Sequence, residues 1–343
     1  MKAAIMIAPY QIRIRDVPKP EPRPHEVLIR MKAAGVCGSD VHFYDGTHPY
    51  ADYPRIYGHE LSGVVEETGA SCTRLKAGDR VIVEPAIPCG RCYPCRIGKY
   101  NCCVDMDMIG AFRQGGFAEY VTVPEAYAHK MPDGMRFEVG ALCEPFSIGA
   151  QVVRRADVRD DAVVTVLGVG PIGLTALILM KRFYRVRVMA IDVVPERLER
   201  ARRFGADVLI NPQRQDAVRT VLELTQGEGS HIVVESAGLK QTMEQTIEMV
   251  SPGGRIVIVG LTNEQVSFPG ILFTKKEVEI FGSRNNVGCF PQVIDFLHRF
   301  PEVADDFITD RIPFDRIAEA MDRSKTKPNE VNKIMLTFDD SAS

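Results

Sequence analysis

Four cysteines lie close together in one short stretch of the chain. Cys89, Cys92, Cys95 and Cys103 follow the spacing Cys-x2-Cys-x2-Cys-x7-Cys. Thiolates at such short spacings on a turn-rich loop can surround one zinc ion as a tetrahedron, and four of them leave no open coordination position. The pattern therefore predicts a structural zinc site. Cys102 adjoins Cys103, and spacing alone barely separates the two as the fourth ligand.

Disulfide bonds are the alternative for these cysteines. The apolar run at the start of the chain stops at Pro9, which predicts neither a secretory signal nor a membrane span. Thiols that stay in the cytosol remain reduced, so zinc is favoured over disulfides and the cytoplasm is the expected location.

A glycine-rich segment follows the predicted strand Val163–Leu167 and opens a predicted helix; it reads Gly168-Val169-Gly170-Pro171-Ile172-Gly173. That position between strand and helix is what a dinucleotide motif requires. Gly168 permits a tight turn, Gly170 lets the backbone approach a pyrophosphate, and Gly173 allows close packing of helix on strand. Pro171 suits the first helical turn, whose N–H groups would face the phosphates.

An acidic residue follows the second predicted strand of this region. Asp192 lies 19 residues after Gly173 and directly after the strand Arg187–Ile191. A carboxylate there accepts hydrogen bonds from the ribose hydroxyls and repels a 2′-phosphate, so NAD is predicted rather than NADP. A solvated loop aspartate is the alternative. Arg197 could accept a 2′-phosphate, but beside Asp192 it is interpreted as flanking the adenosine.

A second set of candidate metal ligands comes from three separate segments, which contain Cys37, His59 with Glu60, and Glu144. Cysteine, histidine and carboxylate together suit a catalytic zinc that keeps an exchangeable position. The residues alone leave this open, because a single cysteine is more often part of a core and a single histidine more often a structural group.

Length and composition define the molecule that must position these residues. A chain of 343 residues predicts about two domains, and 45% hydrophobic with 25% charged residues is ordinary for a globular protein. The net charge of −3 offers no basic stripe for nucleic acid and no polybasic patch for a membrane. Neither partner is expected.

The pattern of apolar residues changes near Ala150. Before it, short β-branched runs among prolines and glycines predict an irregular antiparallel β domain, residues 1–152. After it, strands and helices alternate, which predicts a parallel, doubly wound α/β sheet over residues 153–285. The tail, residues 286–343, is predicted to pack back onto the first domain through the helices Pro291–Arg299 and Phe314–Arg323 and the strand Lys333–Phe338.

Along essentially its whole length the chain resembles the zinc-dependent medium-chain alcohol dehydrogenases. The residues that carry the resemblance are Gly35-Val36-Cys37-Gly38-Ser39-Asp40-Val41-His42, Gly58-His59-Glu60, the four-cysteine loop, Gly115-Gly116-Phe117-Ala118-Glu119-Tyr120 and Gly168–Gly173. Within that family it is similar to the polyol and sugar-acid branch: sorbitol dehydrogenase, threonine 3-dehydrogenase and galactonate 5-dehydrogenase-like enzymes. The resemblance implies a GroES-like catalytic domain, a Rossmann domain and a homodimer or homotetramer.

The resemblance also implies two zinc ions per chain, one structural and one catalytic, together with NAD. Cys37, His59 and Glu144 would bind the catalytic zinc, and Glu60 would bind it directly or in an alternate state. Polyol dehydrogenases have an acid at the position of Glu144, where simple alcohol dehydrogenases have cysteine. Cys143 would take no part.

The remaining roles follow from the same resemblance. A proton would leave the substrate through the Ser39 hydroxyl, the nicotinamide ribose and His42, with Glu60 as a third catalytic group. Further cofactor contacts would be Ile172, Val259, Ser283 and Asn285, and Asn285 also matches a position near substrate. The other substrate contacts would be Phe43, Tyr120 and Arg284.

The predicted activity is the NAD-dependent oxidation of a secondary hydroxyl of a polyol or sugar acid to a ketone. The Arg284 guanidinium could hold a substrate carboxylate or hydrogen-bond the hydroxyls of a neutral polyol, and the sequence leaves both open. Threonine 3-dehydrogenase is the alternative among enzymes. A zinc- and NAD-binding protein without catalysis is the alternative of another class.

Overall fold

Residues 1–338 are described by the computed structural model, and their contacts divide them into two units. Unit 1 comprises Met1–Glu144 together with the residues from Val287 onward, and unit 2 comprises Pro145–Asn286. The strands, numbered in chain order, are β1 (Lys2–Ala8), β2 (Gln11–Asp16), β3 (Glu26–Val36), β4 (Glu60–Thr68), β5 (Arg80–Val83), β6 (Ala86–Ile87), β7 (Asp107–Met108), β8 (Tyr120–Pro124), β9 (Ala128–Lys130), β10 (Val163–Leu167), β11 (Arg187–Ile191), β12 (Val208–Ile210), β13 (Ser230–Glu235), β14 (Val250–Ile258), β15 (Glu279–Gly282), β16 (Asp310–Pro313) and β17 (Ile334–Thr337).

The α-helices are α1 (Gly38–Asp45), α2 (Tyr93–Arg96), α3 (Phe137–Ala141), α4 (Cys143–Ala156), α5 (Pro171–Phe183), α6 (Pro195–Arg203), α7 (Ala217–Leu224), α8 (Lys240–Met249), α9 (Ile271–Lys276), α10 (Phe290–Arg299), α11 (Val303–Phe307) and α12 (Ile317–Thr326). Among residues 1–338, none is both long and apolar enough to cross a membrane.

Unit 2 contains one parallel sheet of six strands in the order β12-β11-β10-β13-β14-β15. Its central strands are short apolar runs because helices cover both faces of such a sheet. This strand order is that of a Rossmann fold, whose ligand site lies at the carboxyl ends of the strands where the order reverses. The predicted α/β class is confirmed, and β10 and β11 have the predicted bounds.

The main sheet of unit 1 has the order β16-β17-β3-β4-β5-β9, and β8 also pairs with β3. All its pairings are antiparallel except that of β16 with β17. Strand β17 pairs with β3 so that Ile334 lies opposite Val36. The C-terminal strand therefore ends up beside the segment that enters α1.

The two units divide the chain at positions that differ from the predicted domains 1–152, 153–285 and 286–343. The first division falls between Glu144 and Pro145, and the second follows Asn286. The first lies inside α4, a helix that the sequence analysis did not predict. Because α4 runs continuously across the division, the sequence has no break there. The change in the pattern of apolar residues near Ala150 therefore located the boundary only to within several residues.

Candidate metal centres and cofactor site

Cys37 lies where β3 ends and α1 begins. It is the N-cap residue of α1, and its backbone is extended (φ −92°, ψ 156°). The Asp40 side chain accepts a hydrogen bond of 2.9 Å from the Cys37 backbone N–H, one of the donors that the first turn of a helix leaves without a partner. This contact holds the start of α1 and the Cys37 side chain in place.

His59 precedes β4 and is buried, with 8% of its surface exposed. Its Nδ1 lies 3.6 Å from Asp40 Oδ1, which leaves the Nε2 atom for another partner. Burial lowers the pKa of His59, but the negative charge of Asp40 outweighs it and raises that pKa well above its usual range. A histidine that faces a carboxylate through one nitrogen and a metal through the other is a common arrangement at metal sites.

The structure brings Cys37, His59 and Glu60 together, with one ligand atom of each within 4.8 Å of the others. Glu60 has a further contact, because Lys333 Nζ donates to its two carboxylate oxygens at 2.6 and 2.8 Å. The same ammonium group donates to the Val36 carbonyl oxygen at 3.2 Å. Glu60 and Lys333 thus form a fully buried ion pair at the edge of the candidate metal centre.

Glu144, in the first turn of α4, is outside that 4.8 Å group. Burial raises the pKa of Glu144 to about 7; the charge of His59 opposes this shift and the carboxylate of Glu60 adds to it. Glu144 is therefore close enough to His59 and Glu60 for their charges to act on it. Cys143 is buried, and burial raises the pKa of its thiol.

The second centre consists of Cys89, Cys92, Cys95 and Cys103, whose sulfur atoms all lie within 4.8 Å of one another. Around a tetrahedral zinc with bonds of about 2.3 Å, two sulfurs are about 3.8 Å apart. Cys92 Sγ lies 3.8 Å from Cys103 Sγ and 3.3 Å from Cys95 Sγ, so the cluster fits such an ion. Cys102 is exposed, and its sulfur is not among the four.

Backbone N–H groups in this loop point to cysteine sulfurs, where they can stabilise the negative charge of a thiolate. The N–H groups of Cys89 and Asp105 point to Cys103 Sγ at 3.2 and 3.4 Å. Hydrogen bonds from the backbone of Val104 and Cys95 lower the pKa of Cys92 to about 6. Because metals bind thiolates, these donors favour the ligand form of the sulfurs.

The glycine-rich segment of unit 2 has the geometry that phosphate binding needs. Gly168 has φ +83°, a conformation that only glycine adopts readily. A Cβ atom on Gly173 would collide with the Gly168 carbonyl oxygen, whereas the space beside Gly170 is open except for Arg197 Nη1 at 3.9 Å. Pro171 is the first residue of α5, and no side chain caps that helix. Its first N–H groups are free to meet a phosphate.

Asp192 is buried, with 7% of its surface exposed, rather than solvated on a loop. Its Oδ2 accepts the Val169 N–H at 3.0 Å, and its Oδ1 accepts the Val194 N–H at 2.9 Å. Arg197 Nη1 lies 3.8 Å from Asp192 Oδ2. Each carboxylate oxygen keeps a further lone pair for a ribose hydroxyl.

The other predicted cofactor residues lie at the ends of β14 and β15. The N–H groups of Val259 and Ser283 donate to the backbone carbonyls of Glu235 and Ile258 at 2.9 and 2.8 Å. Ser283 Oγ and Asn285 Nδ2 are buried polar atoms without a protein partner, and Asn285 has φ +42°. Such atoms are candidates for ligand contacts. Arg284 is exposed.

Two of the predicted substrate contacts have surroundings that the sequence did not indicate. Phe43 is 2% exposed and belongs to the core of unit 1, where its ring stacks on Tyr57 with centroids 4.3 Å apart. Tyr120 lies opposite Arg30 in the sheet, six residues before Val36 along β3, which is about 20 Å at 3.3 Å per residue. Contact of either side chain with substrate stays a prediction.

Sequence reasoning missed two residues of the first metal centre. Asp40 stands three residues after Cys37, which is the spacing of a helix-capping pair and could have been noticed. Lys333 had no such signal, because it meets Glu60 across 273 positions of sequence.

The comparisons with known proteins agree with this architecture. The family model for the alcohol dehydrogenase GroES-like domain matches residues 23–133, and that for zinc-binding dehydrogenases matches residues 171–299. The starvation-sensing protein RspB of Escherichia coli K12 is 36% identical over 341 residues, 98% of this chain and 99% of the relative. Sorbitol dehydrogenase of Bacillus subtilis 168 is 32% identical over 341 residues, covering 98% and 97%.

A solved structure of the alcohol dehydrogenase RspB from E. coli CFT073, complexed with NADH, aligns with a TM-score of 0.93 and 35% identity. The alignment covers 98% of this chain and 99% of the RspB chain. The chain therefore belongs to the zinc-binding medium-chain alcohol dehydrogenases. Relatives named sorbitol dehydrogenase and D-xylulose reductase place it in the polyol branch, which confirms the predicted resemblance to that family and branch.

Proposed function

We propose that this protein oxidises a secondary hydroxyl of a polyol or sugar acid to a ketone, with NAD+ as the acceptor and zinc at the Cys37 centre. The observation that carries the proposal is the convergence of Cys37, His59 and Glu60, one ligand atom of each within 4.8 Å of the others, with Asp40 beside the imidazole. A centre of mixed thiolate, imidazole and carboxylate groups keeps an exchangeable position, unlike the four-thiolate loop.

Cys37, His59 and Glu144 would hold the catalytic zinc. Lys333 donates to both oxygens of Glu60, so Glu60 would serve as a charge beside the centre, and the remaining lone pairs of its oxygens would also let it bind the metal. When bound, zinc supplies Lewis acidity toward a substrate hydroxyl, and the nicotinamide supplies a hydride acceptor.

Ser39 and His42 would carry the hydroxyl proton away. They lie three residues apart on α1 and therefore on the same side of that helix. His42 is exposed, so a proton that reaches it can pass to solvent. Asp192 would accept the ribose hydroxyls of the adenosine and select NAD by repelling a 2′-phosphate.

The substrate class is tested by measuring NADH formation with zinc-loaded protein against hexitols, aldonates, threonine and simple secondary alcohols. We expect hexitols or aldonates to give the highest kcat/KM. A response to threonine alone, or silence across the panel from protein that holds two zinc ions, would contradict the proposal. If aldonates lead, Arg284→Lys should impair them far more than hexitols, because lysine cannot form the bidentate contact to a carboxylate.

A further inference from the structure

A chain of hydrogen bonds leads away from His42 at the end of α1. His42 Nδ1 lies 3.0 Å from Thr47 Oγ1, and Thr47 Oγ1 lies 2.5 Å from Asp45 Oδ1. On its other side, Asp45 Oδ2 accepts from Lys325 Nζ at 2.5 Å. The Asp45 side chain is 1% exposed, whereas that of Lys325 is 44% exposed. Only His42 has a predicted role in the reaction.

Asp45 carries no proton at neutral pH. The Lys325 ammonium group lies against one oxygen, and the Thr47 backbone N–H donates to the other at 3.0 Å. Burial would raise the pKa of Asp45, but Lys325 and Thr47 together lower it to about 2. An ionised carboxylate can only accept hydrogen bonds, so the contact between the Asp45 and Thr47 oxygens uses the hydroxyl hydrogen of Thr47.

Thr47 has a single hydroxyl hydrogen, and this hydrogen is donated to Asp45 Oδ1 in a hydrogen bond. Thr47 Oγ1 therefore faces His42 as an acceptor, and the Nδ1 atom of His42 must be the donor. The hydrogen bond made by one imidazole nitrogen determines which nitrogen carries the proton. In the neutral ring, the proton is on Nδ1 and the lone pair is on Nε2.

We propose that Thr47, oriented by Asp45, is a positioning residue that holds neutral His42 in its Nδ1–H tautomer and so keeps Nε2 ready to accept a proton. The catalytic part of this inference rests on the proposed function, in which His42 ends the proton path. Helix α12 supports the arrangement, because it contributes Lys325 and also Asp322, which accepts a hydrogen bond of 2.9 Å from the Tyr44 hydroxyl.

The tautomer can be measured directly by NMR. Long-range proton–nitrogen correlations distinguish Nδ1–H from Nε2–H rings in zinc-loaded protein labelled with ¹⁵N-histidine, at about pH 8.5, two units above the usual histidine pKa. The chain has 7 histidines, and His42→Gln identifies the resonance of interest. We expect Nδ1–H in the wild type and in Thr47→Ser, which keeps the hydroxyl. Thr47→Val should shift His42 toward Nε2–H, the form that free histidine favours in water.

The catalytic consequence is measured on the same proteins. We expect Thr47→Val to lower kcat/KM for hydroxyl oxidation by about 10-fold, part of the 10²–10⁴ that general acid–base groups contribute. Thr47→Ser should stay within about 2-fold of the wild type, since it restores the acceptor. Thr47 is exposed, so neither change removes a core contact.

An Nε2–H ring in the wild type, or an unchanged Nδ1–H ring in Thr47→Val, would overturn the positioning role. Equal kcat/KM for Thr47→Val and Thr47→Ser, with His42→Gln slow, would overturn its catalytic part. If no hydroxyl substrate is oxidised by the wild type, the proposed function fails, and the tautomer measurement still decides the positioning role by itself.

Discussion

The buried pair of Lys333 and Glu60 shows how much one distant residue contributes to the candidate centre. Two charges out of water remain stable together only when each satisfies the other, and here one ammonium meets both carboxylate oxygens and a backbone carbonyl. The pair keeps the charge of Glu60 close to Cys37 and His59. It also ties β17 to the start of β4.

We expect Lys333→Met to lower the free energy of unfolding by about 3–5 kcal/mol, because it leaves the buried Glu60 carboxylate without a partner. Glu60→Gln in the same protein should recover most of that loss. The matched control is Lys327→Met, whose ion pair with Glu330 is about half exposed and should cost less than about 1 kcal/mol. Urea denaturation measures all of these, and equal losses for Lys333→Met and Lys327→Met would show that the buried pair contributes no more than a surface one.

We propose two tasks for Asp192, cofactor selection and backbone pairing, which different substitutions separate. We expect both Asp192→Asn and Asp192→Ala to relax the preference for NAD over NADP by about 10-fold or more, since both remove the charge that repels a 2′-phosphate. Asp192→Ala should also destabilise the protein by about 1–3 kcal/mol, because it leaves the Val169 and Val194 N–H groups unpaired. Steady-state kinetics with both cofactors checks the first effect. An unchanged cofactor ratio in both variants would remove Asp192 from that role.

At the scale of elements, α1 was missed by the sequence analysis for a physical reason. Its four buried residues are Asp40, Phe43, Tyr44 and Asp45, so the helix shows no apolar stripe. Strands β10 and β11 were predicted with their observed bounds because short apolar runs bounded by glycine and charged residues are local signals.

The candidate sites also contain parts that the sequence predicts and parts that it does not. The cysteine loop and the glycine-rich turn are local patterns and can be recognised in the sequence. Whether a carboxylate meets a lysine 273 positions away depends on the packing of β17 against β3, which no local pattern records.

The cysteine loop permits a matched test. We expect wild-type protein to contain two zinc ions per chain and Cys92→Ser to contain one, with a loss of stability, because a structural zinc contributes directly to folding. Cys102→Ser is the control, since that exposed cysteine adjoins the cluster but takes no part in it. Elemental analysis of the purified proteins measures the number of zinc ions per chain in each variant. Loss of zinc from Cys102→Ser, or two zinc ions in Cys92→Ser, would contradict the assignment of the loop.

The contact between α1 and α12 predicts a dependence of stability on pH. The pKa of Asp45 falls from 3.8 to about 2 on folding, so its contribution is complete above pH 4–5 and is lost as the pH falls through about 2. We expect Asp45→Asn to cost about 1–2 kcal/mol at pH 7, a value reduced by the exposure of Lys325 to solvent. The difference from the wild type should narrow below about pH 4.

Urea denaturation at several pH values measures this difference. Asp133→Asn serves as the control because Asp133 is an exposed turn residue. Its free energy of unfolding should be almost the same as that of the wild type at every pH. A loss in Asp45→Asn that stays constant from pH 7 to pH 3 would mean that the carboxylate charge is not responsible.

At the scale of the whole molecule, unit 1 gathers its functional groups from both ends of the chain. Cys37, His59 and Glu144 come from the first part, whereas Lys333 and Lys325 come from the part after unit 2. Within residues 1–338, the surroundings of the candidate metal centre are therefore completed only by Lys333, the residue before β17, while Lys325 pairs with Asp45 at the end of α1. Unit 2 supplies the glycine-rich turn and Asp192 from one uninterrupted segment.

The central claim is that the Cys37 centre, not the cysteine loop, performs the oxidation. The most direct test is the rate of NADH formation by zinc-loaded wild type, Cys37→Ser and Cys102→Ser with the best substrate of the panel. Lewis-acid catalysis is worth several kcal/mol, so Cys37→Ser should be slower by about 10³-fold or more, while Cys102→Ser keeps the wild-type rate. A Cys37→Ser protein that forms NADH at the wild-type rate would contradict the account.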